Sequence, residues 1–139
     1  MKQDIQRPVT ILLVEDNEFV RAVTEQILMN AGFKVLCGQS GDEALNVSRG
    51  YDGKIDLVLT DIVLPGMSGP ELGSELRRER PEIKVLLTSG YADVEPREQA
   101  IPNLEFYLAK PFSVATLMEK IREVLSVGSK SVGACASGT

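Results

Sequence analysis

The sequence predicts an α/β domain: a doubly wound, five-stranded parallel sheet with helices on both faces. Three observations lead there. Short apolar runs alternate with amphipathic stretches along most of the 139 residues. The runs are nearly continuous in apolar character, as strands covered on both faces require. The composition, 43% hydrophobic and 25% charged, is that of a single globular domain with enough apolar material for a core.

The elements follow in order. Val9-Thr10-Ile11-Leu12-Leu13-Val14 is the first strand. Asn17 to Met29 has helical spacing, with Val20, Val23, Ile27 and Leu28 on one face. Gly32 suits a left-handed cap after it. Phe33 to Cys37 is the second strand. Ser40 is placed to cap a second helix, with Glu43 completing a capping box and Gly50 closing the helix. Its apolar side is Ala44, Leu45 and Val47.

Ile55 to Thr60 is the third strand, followed by a Pro- and Gly-rich loop from Asp61 to Gly69. Pro70 sits at the favoured first position of a third helix that reaches Arg80, and Pro81 stops it. Ile83 to Thr88 is the fourth strand. Pro96 and Pro102 leave room only for a short fourth helix around Glu95 to Ala100. Glu105 to Ala109 is the fifth strand. Ser113 caps a fifth helix lined by Leu117, Ile121, Val124 and Leu125. Residues 1–8 read as an N-terminal extension, 9–127 as the folded domain, and 128–139 as a flexible tail of Gly, Ser, Ala and Lys.

Several classes of function are disfavoured at once. The chain has no histidine, which removes His-ligated metals, Ser-His-Asp triads and histidine bases. Two cysteines far apart, Cys37 and Cys135, indicate neither a disulfide framework nor a zinc site. Cys37 ends an apolar strand and reads as a small core residue. A net charge of −5 repels phosphate backbones, so nucleic-acid binding is not expected. No apolar run approaches the roughly 18 residues of a membrane span, and the polar start lacks a signal-peptide core. A cytoplasmic protein, off the membrane, is the expectation.

In a doubly wound sheet the working crevice lies beyond the carboxyl ends of the strands. Glu15 and Asp16 follow the first strand, Asp61 the third, Thr88 and Ser89 the fourth, and Lys110 with Pro111 the fifth. Three carboxylates in one crevice call for a cation, and all-oxygen ligands suit Mg²⁺. A Mg²⁺ beside an ammonium and a hydroxyl makes a place for a transferred phosphoryl group.

Four motifs at those strand ends carry a resemblance. They are Leu12-Leu13-Val14-Glu15-Asp16-Asn17, the run Leu59-Thr60-Asp61-Ile62-Val63-Leu64-Pro65-Gly66-Met67-Ser68-Gly69, Leu87-Thr88-Ser89-Gly90-Tyr91, and Ala109-Lys110-Pro111-Phe112. Together they resemble the receiver domain of two-component response regulators, over roughly residues 9 to 126. The resemblance implies a flavodoxin-like (β/α)5 fold with strand order 2-1-3-4-5. It implies a phosphorylation-activated signalling switch rather than a turnover enzyme. Asp61 resembles the aspartate that takes a phosphoryl group from a histidine kinase or a histidine phosphotransfer protein. Asp16 resembles the direct Mg²⁺ ligand, with Glu15 supporting it through water, and Asp61 and the Val63 backbone carbonyl as further ligands. Thr88 resembles the switch hydroxyl, drawn inward by the phosphoryl group, and Lys110 the ammonium that contacts that group. Tyr107 matches the switch aromatic that takes the vacated space, so that the surface of fourth helix, fifth strand and fifth helix changes for a downstream protein not yet known. Lys110-Pro111 is a candidate cis peptide.

The run Leu86 to Ala92 is similar to receivers attached to hybrid histidine kinases, so the chain reads either as a stand-alone regulator or as such a segment. A monomer is expected before phosphorylation. The alternative is a Mg²⁺-dependent phosphatase with an aspartate nucleophile, but its second Asp, two residues on, would stand where Val63 does. A flavin or nucleotide binder would need a phosphate loop after the first strand, where Glu15-Asp16 repels phosphate.

Overall fold

The computed structural model describes residues 8–89 and 105–138, with side chains described up to residue 126, residue 105 excepted. The helix expected around 95–100 lies outside the described residues. The elements are β1 (Thr10–Val14), α1 (Glu18–Asn30), β2 (Lys34–Gly38), α2 (Gly41–Arg49), β3 (Leu57–Asp61), α3 (Gly69–Glu79), β4 (Lys84–Ser89), β5 (Glu105–Ala109) and α4 (Val114–Gly138). All strand pairs are parallel, in the order β2-β1-β3-β4-β5.

The unbroken apolar runs have their explanation in the pleat, which sends successive side chains to opposite faces. On one face Leu12, Val14, Val58, Val85 and Leu87 pack with Ala44 and Leu45 of α2 and Leu72 and Leu76 of α3. On the other, Ile11, Leu13, Leu57, Leu59, Leu86 and Leu108 pack with Leu28 of α1 and Leu117, Ile121 and Val124 of α4. Both faces are covered, so most positions in the strands, above all the central ones, had to be apolar. Cys37 packs against the second cluster, and burial, with Glu25 nearby, pushes its thiol up to about 11. That is a packing residue, not a poised thiolate.

The helix ends follow local chemistry. Asn17 Oδ1 accepts from Val20 N, Ser40 Oγ from Glu43 N, and Ser113 Oγ from Thr116 N. Gly32 has φ +96°, the left-handed conformation its position after α1 predicts. The expected box at Ser40 differs in one contact: the Glu43 carboxylate accepts from Gln39 N, one residue before the cap. The full capping box lies at Ser68 instead, where Ser68 and Glu71 cap one another.

Two further expectations are corrected. Val20 and Val23 remain 37% and 43% exposed, because the inward stripe of α1 runs through Arg21, Thr24, Glu25 and Leu28, leaving the two valines at its edge. The last helix continues to Gly138, through most of the stretch expected to be a flexible tail. A helix already seated on the sheet propagates one bond per residue, and interior glycines at about 1 kcal/mol each do not end it.

Arg80 ties the lower end of the first layer together. Its guanidinium donates to Ser48 Oγ and to the carbonyls of Ser48, Tyr51 and Gly53, at 2.7–2.9 Å. Arg80→Met would leave two partly buried carbonyls without that donor. We expect a loss of about 2–3 kcal/mol, read from urea unfolding with unchanged slope. A loss below about 0.5 kcal/mol would mean that water replaces the guanidinium fully.

Candidate functional site at the carboxyl edge of the sheet

Backbone register builds the site. Asp61, the last residue of β3, lies beside Thr88 of β4, and Ser89 lies beside Ala109 of β5. The chain is then locked on both sides of Thr88: Ile62 N donates to Thr88 O, and Lys110 N donates to Ser89 O. On the other side, Val14 is the register partner of both Gly38 and Thr60, which sets Glu15 and Asp16 next to Asp61.

The expected side chains converge. Lys110 Nζ lies 2.7 Å from Asp61 Oδ1 and 3.6 Å from Glu15 Oε1. Thr88 Oγ1 donates to the same Asp61 Oδ1 at 2.7 Å. Carboxylate oxygens of Glu15, Asp16 and Asp61 all come within 4.8 Å of one another. Their exposures differ: Glu15 is buried, Asp61 half-buried and Asp16 exposed. The Lys110-Pro111 peptide is cis.

Two expected residues stand apart from that cluster. Tyr107 is 41% exposed, on β5 beside Leu87. Val63 holds its side chain in solvent, and its carbonyl carries no hydrogen bond among the described residues. The Thr88 hydroxyl faces Asp61, the carboxylate in register with it.

Charge decides what the cluster can hold. Three carboxylates against one ammonium leave two negative charges uncompensated, a divalent cation's worth. The donors are hard oxygens, which fits Mg²⁺ and leaves room for its waters. Within that cluster Asp16 faces solvent, Asp61 is half-buried and Glu15 lies deepest.

Electrostatics agree. Burial raises the Glu15 pKa; the Asn17 backbone N–H lowers it, Asp61 raises it further and Lys110 lowers it. For Lys110, burial alone would lower the value, but the contacts with Asp61 and Glu15 outweigh it and hold it above 10.5. Lys110 therefore contributes stability that is complete below its unfolded value and is lost as pH rises through the folded one. The Glu15 shift runs the same way with pH: its folded pKa lies above the unfolded one, so its contribution also falls as pH rises, and its buried charge is adverse above that pKa. Glu15→Gln should raise the Tm of the metal-free domain at neutral pH, measured in EDTA. A lower Tm would show that the Lys110 pair outweighs burial.

Some functional residues carried no readable signal. Arg21 of α1 donates from its guanidinium to the Glu15 carbonyl at 2.9 Å, and Asn17 N donates to Glu15 Oε2 at 3.0 Å, so the acidic turn is fastened from its own helix. Gly69 N donates to Ile62 O at 2.7 Å, closing the loop after Asp61. Only Gly69 had a hint in sequence, as the end of a Pro-Gly loop.

The response regulator receiver domain model matches residues 11–122. The chain belongs to that family, and its role is that of a phosphorylation-activated signalling switch. It is 37% identical over 123 residues to the sensor kinase CckA of Brucella abortus strain 2308, covering 88% of this chain but 13% of that kinase. A crystal structure of the receiver domain from the hybrid histidine kinase CckA is similar, with TM-score 0.72 and 33% identity, over 84% of this chain and 98% of that domain. So is a CheY-like receiver from Methanospirillum hungatei JF-1, with TM-score 0.73 and 28% identity over 90% of this chain and 99% of that one. No helix among the described residues is long and apolar enough to cross a membrane.

Proposed function

We propose that Asp61 accepts a phosphoryl group from a phosphohistidine donor, with Mg²⁺ held by Asp16, Asp61 and the Val63 carbonyl, and Glu15 behind them through water. The observation that carries this reading is the Asp61 carboxylate itself, with Lys110 and Thr88 both on Oδ1. Oδ2 takes neither of those two contacts and is the oxygen we assign to attack on phosphorus. An Asp61 oxygen forms the O–P bond while the P–N bond to the donor imidazole breaks. The imidazole keeps the electron pair and takes up a proton. Because the donor brings the leaving group, the domain needs no base of its own. Mg²⁺ supplies charge neutralisation between the two anionic partners.

The domain is thus a phosphoacceptor that assists its own phosphorylation and dephosphorylation. The phosphoryl oxygens take over Lys110 and Thr88, Tyr107 turns inward, and the surface around β5 and α4 changes for a downstream protein. The phosphate acts only through its differential affinity for that second arrangement. The donor, a histidine kinase or histidine phosphotransfer protein, meets a rim with exposed apolar residues: Phe19 at 75%, Val63 at 63% and Val114 at 52%. Each follows a site residue closely in the chain. The resting chain is a cytoplasmic monomer, either a free regulator or the receiver segment of a hybrid kinase.

The test is incubation of the purified domain with Mg²⁺ and acetyl phosphate, followed by intact mass. One added phosphoryl group supports the reading. No addition from acetyl phosphate or from a phosphorylated phosphotransfer protein overturns it. The phosphoprotein should also be long-lived. Val63 and Gly90, two residues beyond Asp61 and Thr88, offer no side-chain hydrogen bond to an attacking water. A half-life of seconds would contradict this.

A further inference from the structure

We propose that Gly41, on a helix outside the site, is a positioning residue for the metal-binding loop, acting through Met67. The inference rests on the reading of Val63 as a metal ligand. The loop from Ile62 to Ser68 is hinged at one place, where Gly69 N meets Ile62 O, and turns at Gly66 with φ +83°. Between hinge and turn, Leu64 is buried, and beyond the turn Met67 packs on the first core layer. The floor under Met67 is Gly41, the buried first residue of α2. A Cβ there would lie 2.8 Å from Met67 Sδ, 3.1 Å from its Cβ and 3.2 Å from its Cγ.

The contact with the stem of the side chain is decisive. A clash with Sδ alone would be relieved by a rotamer change. A Cβ-to-Cβ approach of 3.1 Å moves the backbone of the loop. Because the loop ends are held by the Gly69–Ile62 bond, the displaced part is the segment carrying Val63. Gly41 therefore sets how deep Met67 sits, and with it where the Val63 carbonyl stands.

Calorimetric Mg²⁺ titration of four proteins tests this. Gly41→Ala should weaken Mg²⁺ by about tenfold, as loss of support for a ligand does. Met67→Gly, which removes the whole side chain without adding bulk, should weaken it less. The double variant should bind like Met67→Gly, since the added methyl group then meets no side chain at 67. Amide chemical shifts of residues 62–68 without metal should move in Gly41→Ala and not in Leu117→Ala, a destabilising change on the opposite face. Unchanged affinity in Gly41→Ala overturns the proposal, and so does a double variant weaker than both single ones. Should Gly41→Ala not fold, the double variant against Met67→Gly still decides. If Asp61→Asn leaves wild-type Mg²⁺ affinity intact, the metal reading fails rather than this coupling.

Discussion

Asp61→Asn should abolish phosphoryl uptake while leaving the fold intact. The change replaces one oxygen of the carboxylate by an amide nitrogen of nearly the same size. Thr88 Oγ1 can still donate to the remaining oxygen, as it does to Asp61 Oδ1 at 2.7 Å. The layers on either side lose nothing, since Asp61 belongs to neither core cluster. What is lost is the nucleophile and one of the three negative charges. Lys110 can still donate to the remaining oxygen but loses the charge of that partner, so that its carboxylate partner is Glu15, 3.6 Å away. We expect no detectable phosphoprotein with Mg²⁺ and acetyl phosphate, weaker Mg²⁺ binding, and a Tm within a few degrees of wild type. Uptake persisting in the variant would place the acceptor elsewhere and remove the basis of the proposed function.

Gly69→Ala should damage both stability and the site. A Cβ at Gly69 would overlap the carbonyl oxygen of Asp61 and come within 3.0 Å of Leu87 Cδ2. The obstacle is backbone on one side and packed core on the other, so neither can yield cheaply. Overpacking of this kind costs about 1–3 kcal/mol or more, which for a domain of this size lowers Tm by roughly 5–10 °C. Relief of the overlap also moves the end of β3, and phosphorylation by acetyl phosphate should slow with it. Gly66→Ala is the contrast. Gly66 has φ +83° but nothing within 4 Å of an added Cβ. It should cost only the strain of a left-handed alanine, about 1 kcal/mol, with phosphorylation near wild type. Equal effects of the two changes would mean that contact with Asp61 is not what Gly69 avoids.

Much of this was legible in the sequence, for stated reasons. A sheet covered on both faces demands apolar residues at successive central strand positions, so the five runs stood out against the amphipathic helices. Caps at Ser40 and Ser113 were legible because an N-cap depends on one local bond. Ends of strands were less legible. Asp61 and Ser89 lie inside β3 and β4, because ladder pairing continues beyond the apolar run as long as a neighbour strand is there. The exposure of Val20 and Val23 was hidden for a related reason. Periodicity marks a face, but only the seating of α1 shows which stripe of it turns inward, here the one through Arg21, Thr24 and Leu28.

By itself, the sequence determined the fold class, the strand-end placement of Glu15, Asp16, Asp61, Thr88 and Lys110, and the excess of acid that calls for a divalent cation. These depend on residue type and order, which hydrophobic pattern and turn chemistry express locally. Tertiary structure alone decided which oxygen of Asp61 is engaged, that Thr88 rests against it, that Arg21 fastens the acidic turn, and that Gly41 carries Met67. Apart from the local Arg21 contact, each of those joins groups brought together by strand register and layer packing, to tolerances of tenths of an ångström. No local rule encodes such distances, because they follow from how the whole core closes.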